Sequence, residues 1–245
     1  MNKKIAKIFA IIGGLLVTSY LLFALFFLSS ENRDLVSEQM QIVFVNDNLG
    51  LIDEQFVVQV LTERNLLPVG RKTQDIRLEA IERALLTHEA IKSVDAFITP
   101  SGVTFIRIRQ REPVFRVFPN VGTSYYIDTE RNRINSTVNH AAHLPIVSGN
   151  VSVEKASGEL FDFIMFLERN AFWRAQIEQI YVRADRQIEL VPRVGDGIIL
   201  LGTLDNYQSK LEKLRRLYSS FSTIGWDRYR IIDLRFRGQI VGTRR

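Results

Sequence analysis

The strongest hydrophobic pattern in the chain is an uninterrupted apolar run near the N-terminus. Ile8–Leu28 contains no charged residue and no proline, and about 20 apolar residues are enough for a helix to cross a bilayer core. Lys3, Lys4 and Lys7 precede the run, and polar residues follow it. Because positive charge is retained on the cytoplasmic side, the pattern predicts a single-pass type II anchor. The tail Met1–Lys7 is then cytoplasmic and the long remainder lies outside.

The alternative interpretation of this run is a cleaved signal peptide. The apolar region of a signal peptide is usually about 7–15 residues long and ends at a small-x-small site. The end of this run, Phe23–Phe27, offers no such site, so a retained anchor is favoured. The polar residues 29–40 that follow are predicted to be a linker.

The segment 41–112 is predicted to fold in the order strand, helix, helix, strand, strand. Asp53 can cap the first helix, and Thr73 or Asp75 can start the second. Two alternating runs then flank the turn Pro100–Gly102, which is typical of a hairpin. The first strand is predicted at Gln41–Val45. The apolar positions on which this pattern rests are Phe56, Val57, Val60, Leu61, Leu78, Ile81, Leu85, Val94, Ala96, Ile98, Ile106 and Ile108.

The segment 113–245 is predicted to be a mainly antiparallel β-domain with two helices, because its apolar runs are short and closely connected. One helix is predicted at Glu154–Arg169, and Asp205 is predicted to cap the other. The closing strand is predicted at Ile231–Val241, with 242–245 as a frayed tail. The remaining strands are predicted at Tyr125–Ile127, Arg133–Ile134, Leu144–Val147, Ile177–Val182, Gln187–Val191 and Ile198–Leu201. The whole chain is therefore predicted to be α+β.

Composition removes several classes of chemistry. The chain has no cysteine, which excludes disulfides, thiolate nucleophiles and cysteine metal sites. Its formal charge is +5, but three of the lysines precede the anchor. Beyond the anchor 29 basic residues face 27 acidic ones, and so balanced a surface does not favour nucleic-acid binding.

Candidate catalytic chemistry is sparse. His140 and His143 could suggest a metal site, but a solvated loop is the commoner setting for such residues. His88 is predicted to act as a cation or a polar cap at a helix C-terminus. We find no nucleophile elbow, phosphate loop or dinucleotide fingerprint. No catalytic residue, metal, cofactor or small-molecule substrate is therefore predicted.

Arg107, Arg109 and Arg111 are predicted to lie on one face of a strand. Charged residues commonly blunt an exposed strand edge, so a solvated edge is one interpretation. The other is a docking surface for an acidic segment of a partner. The sequence leaves both open.

Several motifs resemble the FtsQ/DivIB family of bacterial cell-division proteins, especially its Bacteroidetes form, over nearly all of the chain beyond the linker. Ile91–Val117, with the step Arg111-Glu112-Pro113-Val114, resembles the end of the family's POTRA domain. Further motifs resemble its β-domain: Tyr125–Asp128, Leu144–Gly149, Phe172-Trp173, Leu200–Gly202 and Ile232–Phe236. Arg131 or Asn132 stands where the family often has glycine, so a longer turn is expected there.

The resemblance implies a non-enzymatic scaffold at the division septum, held in the inner membrane with a periplasmic ectodomain. Its domains would be the POTRA domain at 41–112 and the β-domain at 113–245. The implied partners are the bitopic proteins FtsB/DivIC and FtsL, and the implied role is control of septal peptidoglycan synthesis. A membrane-anchored envelope hydrolase and a POTRA-containing export chaperone are the alternatives; the first lacks a visible nucleophile and the second lacks repeats or a barrel.

The resemblance also places the partner site in the closing strand. The residues that carry over are Asp233, Leu234, Arg235, Phe236, Arg237 and Gly238. Phe236 is either an apolar anchor for the partner or a core residue on the face of Ile232 and Leu234. Arg235 and Arg237 are expected to be exposed and to face an acidic segment, and Gly238 is expected to form a bulge.

Overall fold

The computed structural model describes residues 12–24, 35–46, 49–135, 144–224 and 228–245. The chain divides into two compact units, Met1–Asn48 with Ile52–Gln110, and Leu49–Leu51 with Arg111–Arg245. These are named the first and the second unit below.

Helix α1 comprises residues 12–24. The hydroxyl of Thr18 donates to the carbonyl oxygens of Gly14 and Leu15, each at 3.0 Å, so the helix satisfies this polar group itself. The two ends of the predicted anchor Ile8–Leu28, the tail Met1–Lys7 and the start of the predicted linker lie outside the described residues. Among the described residues, no helix is both long enough and apolar enough to span a membrane.

The first unit has the predicted order of strand, helix, helix, strand and strand. Its sheet has the order β1-β3-β2, with β1 parallel and β2 antiparallel to the central strand β3. Helix α3 packs against β2, and Ile106 and Ile108 of β3 are fully buried. The elements are β1 Met40–Phe44, α2 Glu54–Glu63, α3 Leu78–Leu86, β2 Ile91–Ile98 and β3 Thr104–Gln110.

The two helices of the first unit begin differently. An oxygen of Asp53 accepts a hydrogen bond from the backbone N–H of Phe56 at 2.8 Å, which confirms the predicted cap of α2. The predicted start of the second helix at Thr73 or Asp75 is wrong, because Thr73–Asp75 forms a separate 3₁₀ turn. Ile76 then takes an extended conformation and is buried, so the helix starts only at Leu78.

Part of the segment predicted to be a linker is packed within the first unit. Ser37 is fully buried, and its hydroxyl lies 2.8 Å from that of Thr104 on β3. Val36 forms an isolated bridge with Lys72. The polar composition of this segment predicted a linker. The hydroxyl of Ser37, however, is buried and forms a hydrogen bond inside the unit.

The second unit contains a nine-stranded sheet within its described residues, in the order β12-β11-β10-β9-β8-β7-β4-β5-β6. The prediction of a mainly antiparallel sheet is confirmed, since five of the eight strand pairs described are antiparallel. The pairs β4–β7, β7–β8 and β10–β11 are parallel. Helical crossovers between β7 and β8 and between β10 and β11 permit this. The strands are β4 Pro113–Pro119, β5 Tyr125–Asp128, β6 Arg133–Asn135, β7 Ile146–Gly149, β8 Ile177–Val182, β9 Ile188–Pro192, β10 Ile198–Gly202, β11 Tyr229–Asp233 and β12 Val241–Arg244.

The second unit has four helices within its described residues, not the predicted two. The predicted helix Glu154–Arg169 is interrupted at Gly158, where a Cβ atom would lie 2.8 Å from the carbonyl oxygen of Glu154. Asn170 caps a further helix by accepting from the N–H groups of Phe172 and Trp173. The helices are α4 Val153–Ser157, α5 Glu159–Arg169, α6 Ala171–Gln176 and α7 Tyr207–Ile224.

The turn between β5 and β6 is organised by a buried carboxylate. Asp128 is 1% exposed and accepts from the backbone N–H groups of Glu130 and Asn132 at 2.9 and 2.7 Å. Arg111 donates to it at 2.9 Å. Arg131 has a φ of +66°, so it takes the left-handed conformation for which the resembling family uses glycine.

The side chain of Arg131 reaches helix α5. It pairs with Asp162 at 2.6 Å and lies over the ring of Phe161 at 4.4 Å. These contacts offset the conformational cost of a non-glycine residue in this region, which is of order 1–3 kcal/mol.

Candidate functional site

The C-terminal end of the chain forms a hairpin at one edge of the nine-stranded sheet. Strand β12 is outermost and pairs antiparallel with β11. Its four residues, Val241–Arg244, are all exposed. The outer backbone groups of an edge strand are open to an added strand. This hairpin, residues 229–244, is named the closing hairpin.

The prediction of a single strand at Ile231–Val241 is wrong, because this segment contains the turn of the closing hairpin. The strand β11 ends at Asp233, and the chain reverses through a turn in which Gly238 has a φ of +81°. The predicted frayed tail is the edge strand itself. The alternation of Ile232, Leu234 and Phe236 suggested one strand, but it continues beyond the point where backbone pairing stops.

A carboxylate–guanidinium pair holds the start of the turn. Arg235 donates to the two oxygens of Asp233 through Nε at 2.9 and 3.1 Å and through Nη2 at 2.6 Å. Its backbone N–H also donates to Asp233 at 3.0 Å. These hydrogen bonds from the Arg235 side chain hold the pKa of Asp233 below its ordinary value. Arg235 also reaches Gln187 at 3.2 Å, which ties the turn to β9.

A glycine leaves room for this pair. At Gly202, the last residue of β10, a Cβ atom would lie 2.8 Å from Cγ of Arg235. The φ of Gly202 is +79°, so the position favours glycine for conformational reasons as well. The similarity of Leu200–Gly202 to the family pattern therefore has a physical basis in this structure.

The predicted partner residues separate into two groups. Asp233 and Leu234 are 7% and 3% exposed, so they support the hairpin from inside. Arg235, Phe236, Arg237 and Gly238 are exposed. Phe236 is 47% exposed, so its interpretation as a core residue is wrong.

The sequence prediction missed the edge strand. Val241 is 40% exposed, and a Cβ atom at Gly242 would lie 2.6 Å from the ring of Tyr229. Glycine thus lets an aromatic ring of the neighbouring strand cover the edge strand. The available signal was the glycine at 238 followed by Val241 and Thr243, which favour strands.

Two of the three arginines near β3 share the predicted strand face. Arg107 and Arg109 are exposed on β3, which is the central strand of its sheet, so the interpretation as a strand edge is wrong. Arg111 lies beyond β3, in the second unit, and pairs with Asp128 and Glu130.

The open face of the three-stranded sheet carries a mixed apolar and basic surface. The rings of Phe97 and Phe105 stack with centroids 5.3 Å apart. Arg107 lies 5.6 Å from the centroid of Phe97 and 3.4 Å from Asp95. Val43, beside Arg107 on β1, is 42% exposed. This arrangement is compatible with docking of a partner.

Comparison with known proteins identifies the family. A family model described as FtsQ/DivIB, C-terminal related, matches residues 112–243, more than half of the chain. A model of the POTRA-like domain matches residues 36–109. The chain belongs to the FtsQ/DivIB family. A search of curated proteins gave no match.

Membership of the FtsQ/DivIB family confirms the resemblance seen in the sequence. It gives the chain a role in cell division within a family of non-enzymatic scaffolds. The POTRA-like match coincides with the unit in which β1 to β3 form a sheet covered by two helices.

The titratable groups of this FtsQ/DivIB member are consistent with structural roles. Burial lowers the pKa of His88, and its Nδ1 accepts from the N–H of Ala90 at 3.3 Å. His88 is therefore a neutral acceptor beside the ring of Phe56, not a cation at the helix end. His140 and His143 lie outside the described residues. Among the residues described, no three His, Cys, Asp or Glu side chains are placed to hold a metal ion.

Proposed function

We propose that this protein is a membrane-anchored scaffold of the division septum that binds FtsB/DivIC-like and FtsL-like proteins. Its ectodomain lies in the periplasm and helps to control septal peptidoglycan synthesis. The observation that carries the proposal is the exposed edge strand β12, beside a basic turn. An added strand of a partner is a common way to use such an edge.

The backbone of β12 offers a defined row of hydrogen-bonding groups. The N–H of Arg245 donates to the carbonyl oxygen of Arg228 at 3.4 Å. Because backbone direction alternates along a strand, the N–H groups of Gly242 and Arg244 point away from β11. These groups would pair with a partner strand.

The charge of the closing hairpin indicates the kind of partner. Residues 228–245, which extend the closing hairpin by one residue at each end, contain six arginines and one aspartate. Arg235 pairs with that aspartate and Arg245 with Asp196. Among the described residues, Arg237 and Arg244 have no ion-pair partner. An acidic partner segment would therefore bind faster and in a defined register.

A proline substitution tests strand addition directly. Arg244→Pro removes one outward N–H group, and proline is tolerated at strand edges. We expect at least tenfold weaker binding of the purified FtsB/DivIC-like ectodomain, measured by calorimetry. Arg244→Ala is the matched control, because it removes the charge but keeps the N–H group.

The outcomes of this experiment are distinct. Undiminished binding by Arg244→Pro would exclude β12 as the binding edge. Equal losses in both variants would show that the charge matters and the strand pairing does not. Circular dichroism of each variant establishes that the fold is retained.

The membrane topology is tested by a reporter fused at Arg245. Lys3, Lys4 and Lys7 before an uncharged run predict that this end lies outside the cytoplasm. An enzyme that is active only outside the cytoplasm should therefore be active in the fusion. Activity of a cytoplasmic reporter at the same position would reject the topology and the anchor.

The cellular role is tested by depletion of the protein. A division scaffold predicts filaments with unfinished septa. Normal septation accompanied by lysis of the envelope would instead favour an envelope hydrolase.

A further inference from the structure

A groove lies between helices α5 and α6 on one side and α7 on the other. Its volume is about 600 Å³, within the range of binding clefts. Half-buried Phe166 forms the aromatic floor, and Trp173 lies beside it almost completely buried. The ring of Phe166 meets that of Tyr207 edge-on at 5.2 Å, so the floor is held by packing within the core.

Helix α7 supplies the other wall through one stripe of side chains. Gln208, Glu212, Arg215 and Ser219 recur at intervals of three and four residues, so they share one face of the helix. Adjacent to this stripe, Leu211, Leu214 and Tyr218 are buried in the core. From Gln208 to Ser219 the wall is about 17 Å long, which suits an elongated ligand.

The charged residues of this wall are Glu212, Arg215 and Arg216, so positive charge is in excess. Glu212 pairs with Arg216 at 2.7 Å. The guanidinium of Arg215 lies 5.1 Å from the centroid of Phe172. Stacking on a ring holds a guanidinium in place while its N–H groups remain directed sideways, which suits bidentate binding of a carboxylate.

We propose that this groove binds an acidic amphipathic helix of a partner protein. Large apolar side chains of the partner contact Phe166, above the nearly buried Trp173, and a flanking Asp or Glu pairs with Arg215. This is helix-in-groove recognition, in which apolar anchors recur at helical spacing. The inference does not rest on strand addition at β12, because it uses different elements and a different kind of ligand.

The fluorescence of Trp173 can report binding in the groove. The chain has two tryptophans, so Trp226→Phe leaves Trp173 as the single tryptophan, which is excited selectively in the full chain in detergent micelles. The probes are two synthetic helical peptides with the same leucine face, flanked by glutamates in one and by lysines in the other. We expect the glutamate peptide to change Trp173 emission saturably and the lysine peptide to bind at least tenfold more weakly.

Arg215→Glu is the decisive variant, since it should reverse the preference between the two peptides. Lys213→Glu is the matched control: it makes the same charge change on α7 but does not line the groove, and the preference should remain. Ser219→Phe fills one end of the groove and should weaken both peptides without reversing the preference.

Three results would overturn the proposal. The first is that Arg215→Glu and Lys213→Glu give the same response. The second is a Trp173 change produced by a soluble muropeptide and not by either peptide, which would indicate a glycan site. The third is dimerisation, seen by light scattering and abolished by Arg215→Glu, which would make a second copy of the chain the occupant.

Discussion

Two turns of the second unit each hold a buried aspartate against an arginine, and they are built differently. Asp128 accepts from two backbone N–H groups, from the Asn132 side chain and from Arg111. Within the described residues, Asp233 accepts from Arg235 alone. The inner turn therefore has several donors, whereas the turn of the closing hairpin depends on one residue.

The difference follows the positions of the two turns. Asp128 ends β5, which lies between β4 and β6, and its arginine comes from the start of the second unit. Asp233 ends β11, next to the edge strand, and its arginine is two residues away. A local pair can orient an edge for binding without contributing much to the stability of the whole sheet.

The largest effect is expected from Asp128→Ala. This change leaves two turn N–H groups without their acceptor and leaves Arg111 with Glu130 as its remaining carboxylate. Removing one partner of a buried pair costs about 3–5 kcal/mol. The free energy of unfolding from urea denaturation measures the loss. Asp128→Asn is the control: it keeps an acceptor oxygen and should lose less. Equal losses would show that the charge, not the hydrogen-bond network, organises this turn.

A smaller effect on stability is expected from Arg235→Glu. It places a second carboxylate beside buried Asp233 and removes four side-chain hydrogen bonds, three to Asp233 and one to Gln187, at a cost of about 1–2 kcal/mol. Because the turn precedes β12, partner binding should weaken as well. Arg235 is exposed, as expected, but it also pairs with buried Asp233. Arg235→Glu is therefore unsuitable as a test of charge alone. Arg235→Lys keeps the charge but loses the planar guanidinium that binds both oxygens of Asp233. Its free energy of unfolding should therefore lie between those of wild type and Arg235→Glu.

The Asp233 pair should also give a pH dependence. Hydrogen bonds from Arg235 lower the pKa of Asp233 in the folded state, so the unfolded state takes up a proton first as pH falls. The stabilisation is then complete above the ordinary aspartate pKa of about 3.9 and is lost as pH falls through the lower folded value.

Unfolding of wild type and Asp233→Asn at about pH 6 and about pH 3 measures this dependence. The free energy of unfolding of the wild type should exceed that of Asp233→Asn by less at the lower pH than at the higher. An advantage that is the same at both would show that Asp233 does not titrate in this range.

Local signals explain what the sequence predicted well. Asp53 caps α2 through a residue three positions away, and the hairpin at Pro100–Gly102 turns at Gly102, whose φ is +83°. Neither depends on distant contacts. The order of elements in the first unit was accordingly predicted from periodicity.

Non-local contacts explain what it missed. The turn after Asp233 packs against Gly202, about thirty residues earlier in the sequence. A local sequence pattern cannot predict a contact between residues so far apart. The groove combines residues of α5 and α6 with residues of α7, which meet only in the folded unit. Parallel pairing of β10 with β11 likewise depends on the helix between them.

The smallest effect on stability is expected from Arg237→Glu. Arg237 is exposed in the turn of the closing hairpin, so the free energy of unfolding should change by no more than about 0.5 kcal/mol.

If an acidic partner segment passes this turn, reversal of the charge of Arg237 should weaken binding several-fold, mainly by slowing association. The loss of affinity should shrink as salt is added. Arg169→Glu, which also reverses an exposed arginine but lies at the end of α5, is the comparison. Stopped-flow association at two salt concentrations separates the two variants. Equal association rates for both would mean that the partner does not approach the closing hairpin, and the contrast between the two aspartate turns would then concern stability alone.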